Sequence, residues 1–148
     1  MSIMVCMHSE DIKEELREKG IKNTRAKSLL LHILKNAEAP MDVNNLHAEC
    51  QKETSVNLVT VYRTLQQFHE KALVEEFMGK DGANQYEYIP EGSIAHPHFQ
   101  CEKCNKVICL EELGFDDALY FSNRAKHHKI NSIHIMLNGV CEECLSLP

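Results

Sequence analysis

Cys101-Glu102-Lys103-Cys104 and Cys141-Glu142-Glu143-Cys144 are two C-x-x-C pairs with 36 residues between them. Two thiolates from one such turn ligate one metal, and two turns complete a tetrahedral structural zinc site. The long gap leaves room for strands and a helix. A thioredoxin-like redox pair needs a βαβ context that is absent around either motif. Just upstream stands His96-Pro97-His98. In an extended segment residues two apart share a face, so both imidazoles can reach one ion, while Cys101 falls on the other face. The histidines and the C-x-x-C pairs should therefore serve different metals. Cys109 could complete the histidine site, with Glu87 as a fourth candidate. Equally, Cys109 could be an ordinary buried thiol and the histidines surface residues.

The rest of the composition restricts what that metal chemistry is for. The chain has 148 residues, 43% hydrophobic and 26% charged, enough for a packed core. No stretch approaches the roughly 18 apolar residues of a membrane span, and Met1–Met7 lacks the features of a signal peptide. The expectation is a cytoplasmic protein with no membrane partner. Its seven cysteines then point to metal binding and not to disulfides. A zinc-dependent enzyme is the competing class, and the motifs it would need are missing. H-E-x-x-H is absent, and the deaminase signature fails because residue 98 is His and residue 100 is Gln. No G-x-S-x-G and no phosphate-binding glycine loop occurs among six glycines. The reading is a non-enzyme that takes no small organic ligand.

Hydrophobic periodicity supplies the elements that must carry these residues. Ser9 caps a first helix that stops at Gly20. Thr24 opens a second, whose stripe is Ala26, Leu29, Leu30, Ile33, Leu34 and Ala37. A third helix starts near Asp42, with Val43, Leu46, His47 and Cys50 on one face. Ser55 caps a fourth helix through about Lys71, with Leu58, Val61, Leu65 and Phe68 inside. Its other face (Val59, Thr60, Arg63, Gln66, Gln67) is uncharged except for Arg63. Amides, hydroxyls and one arginine suit base edges and phosphates. Strands 72–78 and 84–89 follow, joined at Lys80–Gly82. This order predicts a winged helix-turn-helix with the fourth helix in the major groove. Ser55, Asn57, Thr60 and Arg63 are candidate DNA contacts. The net charge of −6 argues against nucleic acid, but residues 13–27 hold six basic against three acidic side chains. A solvated helix with a Glu15–Lys19 pair is the plainer reading of that run. Beyond the linker, strands are expected at 99–101, 107–110 and 130–137 and a helix at 115–127. The fold class is α+β: residues 1–89 a winged-helix DNA-binding domain, 90–93 a hinge, and 94–148 an α/β domain with a four-cysteine zinc site.

The chain resembles the ferric-uptake-regulator superfamily of bacterial metal-sensing repressors from about residue 9 to 145. The carriers are Gly20-Ile21-Lys22-Asn23-Thr24, Thr60-Val61-Tyr62-Arg63-Thr64-Leu65 and Gln85-Tyr86-Glu87-Tyr88. To these add His96-x-His98-x-x-Cys101-x-x-Cys104-x-Lys106-Val107 and Asn138-Gly139-Val140-Cys141-x-x-Cys144. The resemblance implies a homodimer, dimerised through the C-terminal domain, in which metal at the hinge closes the DNA-binding domains on a palindromic operator. It matches Cys101, Cys104, Cys141 and Cys144 to the structural zinc site, and Glu87, His96 and His98 to regulatory ligands. It also matches Lys22, Tyr62 and Arg63 to DNA contacts.

This chain departs from the family pattern at two regulatory positions. The histidine of the third helix falls at Pro40, which cannot ligate, and a carboxylate falls at Cys109. His47 and Cys50 are the nearest substitutes, but both lie on the buried stripe. A further family site falls at Ala95, Pro97, Asp116 and Ile133, leaving only Asp116. An E/H/H/C set is softer than the nitrogen–oxygen set of an iron or peroxide sensor, and thiolate with imidazole favours zinc. The expectation is a zinc-responsive repressor, with iron(II) or manganese(II) as the alternative second metal beside the structural zinc.

Overall fold

The computed structural model describes residues 2–91, 96–130 and 133–148, with side chains from residue 10 onward. The chain divides into two compact units, Met1–Pro90 and Glu91–Pro148. Of the expected hinge, Gly92 and Ser93 lie outside the described residues, as do Asn131 and Ser132 of the expected strand 130–137. No helix among the described residues is long and apolar enough to cross a membrane.

The first unit is a winged helix. Helix α1 spans Ser2–Glu18, so it starts well before Ser9, which lies inside it and not at its start. Gly20, at φ +71°, ends it. The amide of Ile21 reaches the Leu16 carbonyl at 2.8 Å and that of Gly20 the Arg17 carbonyl at 2.9 Å, a Schellman closure. Glu15 does not pair with Lys19. It takes Lys35 at 2.7 Å and the Tyr88 hydroxyl, tying α1 to its neighbours. Helix α2, Arg25–Asn36, is capped by Thr24, and α3, Val43–Gln51, by Asp42. A two-residue strand β1, Met41–Asp42, precedes α3 and was not signalled by any pattern.

Helix α4 spans Leu58–Glu70 and corrects two expectations. Asn57, not Ser55, is the cap: its side-chain oxygen accepts from the Thr60 amide at 2.8 Å. The buried stripe is Val61, Thr64, Leu65 and Phe68, with Leu58 42% exposed. Thr64 can sit inside because its hydroxyl donates to the Thr60 carbonyl at 2.8 Å. Leu58 prolongs the stripe by one turn past the end of the core. The wing follows as β2, Val74–Met78, and β3, Asn84–Tyr88, in a sheet ordered β1-β3-β2. Leu31, Leu46, Leu65, Phe68 and Tyr86 are fully buried at the centre of this unit.

Helix α4 ends like α1, but with an alanine where α1 has glycine. Ala72 holds φ +58°, while the Leu73 amide bonds to the Phe68 carbonyl and the Ala72 amide to that of His69. A Cβ in the left-handed region costs about 1–2 kcal/mol, partly offset by the greater unfolded-state freedom of glycine. Ala72→Gly should raise unfolding free energy by up to about 1 kcal/mol in a denaturant titration. A loss of stability would show that the alanine methyl contributes packing there.

The second unit is a three-stranded sheet ordered β5-β4-β6, where β4 is His98–Cys101, β5 Val107–Cys109 and β6 Met136–Gly139. Strand β6 overlaps the expected strand 130–137 only at its end. Ile133 and His134 stand outside the strand, the Ile135 carbonyl accepts from the His98 amide at 2.9 Å, and paired register begins at Met136, parallel to β4. Gly139 suits this pairing: a Cβ there would come 3.3 Å from the Phe99 ring. Helix α5, Phe115–Ala125, buries none of its residues within this unit. Helix α6, Glu142–Leu145, closes the chain.

Candidate metal centre

The C-x-x-C motifs meet because β4 and β6 run side by side. Cys101 is the last residue of β4 and lies opposite Gly139, two residues before Cys141. The turn to β5 is closed by the Asn105 amide on the Cys101 carbonyl at 3.0 Å, with Asn105 at φ +62°. Cys104 thus swings back over Cys101. On the other side Cys141 precedes α6, and Cys144 lies one turn on. The ligand atoms of Cys101, Cys104, Cys141 and Cys144 all lie within 4.8 Å of one another.

The donor set fits zinc. The Sγ atoms of Cys104 and Cys141 are 3.8 Å apart. Four sulfurs at 2.3 Å from a tetrahedral ion have edges of about 3.8 Å, whereas a disulfide needs about 2.05 Å. The Cys104 and Cys141 amides point at the Cys101 sulfur from 3.5 and 3.4 Å. Donation from these amides, Cys104 foremost, pulls the Cys101 thiol down to about 6. Cys144 moves the other way, to about 12, through its hydrogen bond with Cys141 and burial. Four clustered thiols cannot all ionise without a cation; a divalent ion replaces the protons and makes every sulfur a ligand.

A second group lies on the same sheet. The β4–β5 ladder sets Cys109 directly opposite His98. The flanking bond from the Leu110 amide to the Pro97 carbonyl, 2.9 Å, makes this a non-hydrogen-bonded pair, the kind with the closer side chains. The His96 and His98 rings are 4.6 Å apart. Ligand atoms of His96, His98 and Cys109 lie within 4.8 Å of one another, with His98 buried and the other two half-buried. This group shares no residue with the four thiols. In the first unit Glu87 is half-buried on β3, directly opposite Glu75. Like charges in such a pair cost stability, which a cation would offset.

The suggested substitutes for the lost ligand are otherwise engaged. His47 Nε2 lies 2.8 Å from the Val56 carbonyl and 2.9 Å from Gln51 Nε2. Cys50 is buried, and burial pushes its thiol up to about 11. Asp116 is exposed at the start of α5.

Of the expected DNA contacts, Lys22, Ser55, Asn57, Thr60, Tyr62 and Arg63 are all exposed. Tyr62, at 44% exposure, is not drawn into the core. The Asn57 side chain is occupied by its capping bond. One feature of this region escaped the sequence reading. Glu76 accepts from Gln66 at 3.3 Å and from Asn84 at 3.1 Å, fastening the wing to α4. The signal was present: alternation along β2 puts Glu76 on the same face as buried Val74.

The sequence model of the ferric uptake regulator family matches residues 18–139. The ferric uptake regulation protein of Campylobacter upsaliensis is 27% identical over 138 residues, covering 91% of this chain and 87% of its own. The zinc uptake regulation protein of Mycobacterium tuberculosis H37Rv is 26% identical over 131 residues, covering 86% and 97%. Among solved structures, the ferric uptake regulator of Pseudomonas aeruginosa with manganese superimposes with a TM-score of 0.70 at 26% identity, covering 88% of this chain and 97% of that one. Winged helix, four-thiol centre and a match across most of the chain agree: the chain belongs to the ferric uptake regulator family of metal-responsive transcription regulators.

Proposed function

We propose that this protein is a cytoplasmic, homodimeric repressor that binds a palindromic DNA operator when zinc occupies a sensing site of His96, His98, Cys109 and Glu87. The observation that carries the zinc reading is the thiol opposite His98 in the sheet. Thiolate with imidazole is a soft donor set that suits zinc above iron(II) or manganese(II). Glu87 enters by its match to the family motif. When bound, zinc supplies a positive charge and a directed link among these side chains. It shifts the protein toward its DNA-binding form only as far as it binds that form more tightly. Residues 1–89 act as the DNA-binding part and 94–148 as the dimerising and metal-holding part. The dimer reading draws on α5, whose Phe115, Leu119 and Tyr120 are exposed at 74%, 44% and 50%.

On this reading Tyr62 and Arg63 of α4 face the major groove, with Ser55, Asn57, Thr60 and Lys22 at its margin. The test is duplex binding as a function of free zinc, iron(II) and manganese(II), for wild type and Arg63→Ala. Zinc should act at the lowest free concentration. Arg63→Ala should stay folded and lose affinity, with its salt slope reduced by about one per lost phosphate contact. Iron(II) acting well below zinc would overturn the zinc assignment. Equal binding by the variant would remove α4 from the groove.

A further inference from the structure

Large apolar side chains exposed in the first unit are few among the described residues, and they are not scattered. Leu58 at 42%, Val59 at 57% and Tyr62 at 44% occupy the first five residues of α4, and Met78 at 71% ends β2 of the wing. Exposed apolar side chains concentrated on one element mark a contact surface. Val59 is the most exposed of the three on α4, and Tyr62 and Arg63 lie one turn on, at i+3 and i+4. No acidic residue occurs between positions 55 and 69, in a chain with 22 of them. A protein partner for such a patch would be free to meet any charge. A surface that joins bare methyl groups to an arginine and excludes carboxylates fits a polyanion that also carries apolar groups.

Duplex DNA is that polyanion, and the thymine C5-methyl is the one apolar group its base edges present in the major groove. Residues at the start of a recognition helix are the ones that reach base edges. We propose that Val59 is a specificity-determining residue that reads a thymine methyl in each operator half-site. This rests on the repressor reading above and adds the base class that α4 selects. Its cost to the free protein is small: an exposed valine gives up only modest helix propensity relative to alanine.

The test uses the full-length, metal-loaded protein. Selection from random duplexes supplies the bound sequence, and each thymine is then replaced by deoxyuridine, which removes the methyl alone. Wild type should lose about fourfold in affinity per methyl at one position in each half-site. Val59→Ala should bind the thymine operator more weakly by the same factor and lose nothing further at that position. Its salt slope should match wild type, since no charge is removed, which separates it from Arg63→Ala. If Val59→Ala keeps the full uracil penalty at every position, or binds the thymine operator as wild type does, Val59 reads no methyl and the proposal fails while the repressor reading stands. Failure of wild type to select any duplex would overturn both.

Discussion

Cys141→Ser is expected to abolish zinc binding at the four-thiol centre and to unfold the second unit while the first survives. The first unit has a continuous apolar core from Ile12 to Tyr86. The second has nothing comparable: its buried apolar residues, among those described, are Cys101, Cys141 and Cys144, with Phe99, Ile108 and Val140 packed around them. A unit of about 60 residues buries too small a share of its surface to be secure by packing alone. Here the core is the metal centre. Structural zinc contributes about 10–16 kcal/mol of apparent free energy at neutral pH in zinc-finger peptides, as much as the whole stability of an ordinary domain. Serine in place of Cys141 removes one ligand, and the three remaining thiols, which cannot all ionise without the ion, hold it far less tightly. Metal analysis should fall by one zinc per chain, and hydrogen exchange should show protection lost in β4, β5 and β6 but kept in α2 and α4. Chelation of the wild type should give the same pattern. A zinc-free variant with β4 still protected would mean that the sheet stands without its ion.

How much of this was readable beforehand depends on whether the cause is local. The two C-x-x-C pairs fix their own ligands, because a turn of that spacing always brings its sulfurs together. The caps at Thr24 and Asp42 are likewise local chemistry, and both are found where side-chain oxygen precedes apolar periodicity. Ser55 failed as a cap because Asn57, two residues on, offers the same chemistry nearer the first helical residue. Leu58 followed the helical period correctly, yet periodicity names a face and not where the neighbouring elements end. Strand β6 was misplaced for a tertiary reason. Ile133 and Ile135 alternate well, but the ladder runs from Met136 to Gly139, set by where β4 lies and not by the local pattern. The two-residue β1 exists only because β3 lies beside it. The grouping of Cys109 with the histidines stood between these cases. Its distance along the chain was suggestive, but the pairing depends on the register of a hairpin whose turn is the Cys101–Cys104 motif.

That register makes Cys109 the most informative residue to change. A slip of one residue would send it to the opposite face of the sheet. Since it stands directly across from His98, its sulfur is fixed where a shared ion would sit, with little reorganisation. Cys109→Ser replaces a soft anionic donor with a neutral hydroxyl of similar size. The four-thiol zinc and the fold should remain, because the backbone pairing of β4 and β5 does not use the sulfur. The second site should lose at least about a hundredfold in zinc affinity, since even partners outside the ligand shell cost 10–100-fold. Zinc-dependent DNA binding should then shift to correspondingly higher free zinc. Cys109→Asp restores an anion but hardens it, so the order of metals should move toward iron(II) and manganese(II). The sign of that change separates two roles for the residue. If charge alone matters, aspartate should recover zinc response in full; if softness matters, it should recover response to the harder ions instead. Operator affinity against free zinc for the wild type and Cys109→Ser decides the prior question. Superimposable curves would take the thiol out of the sensing site, and with it the argument for zinc over iron.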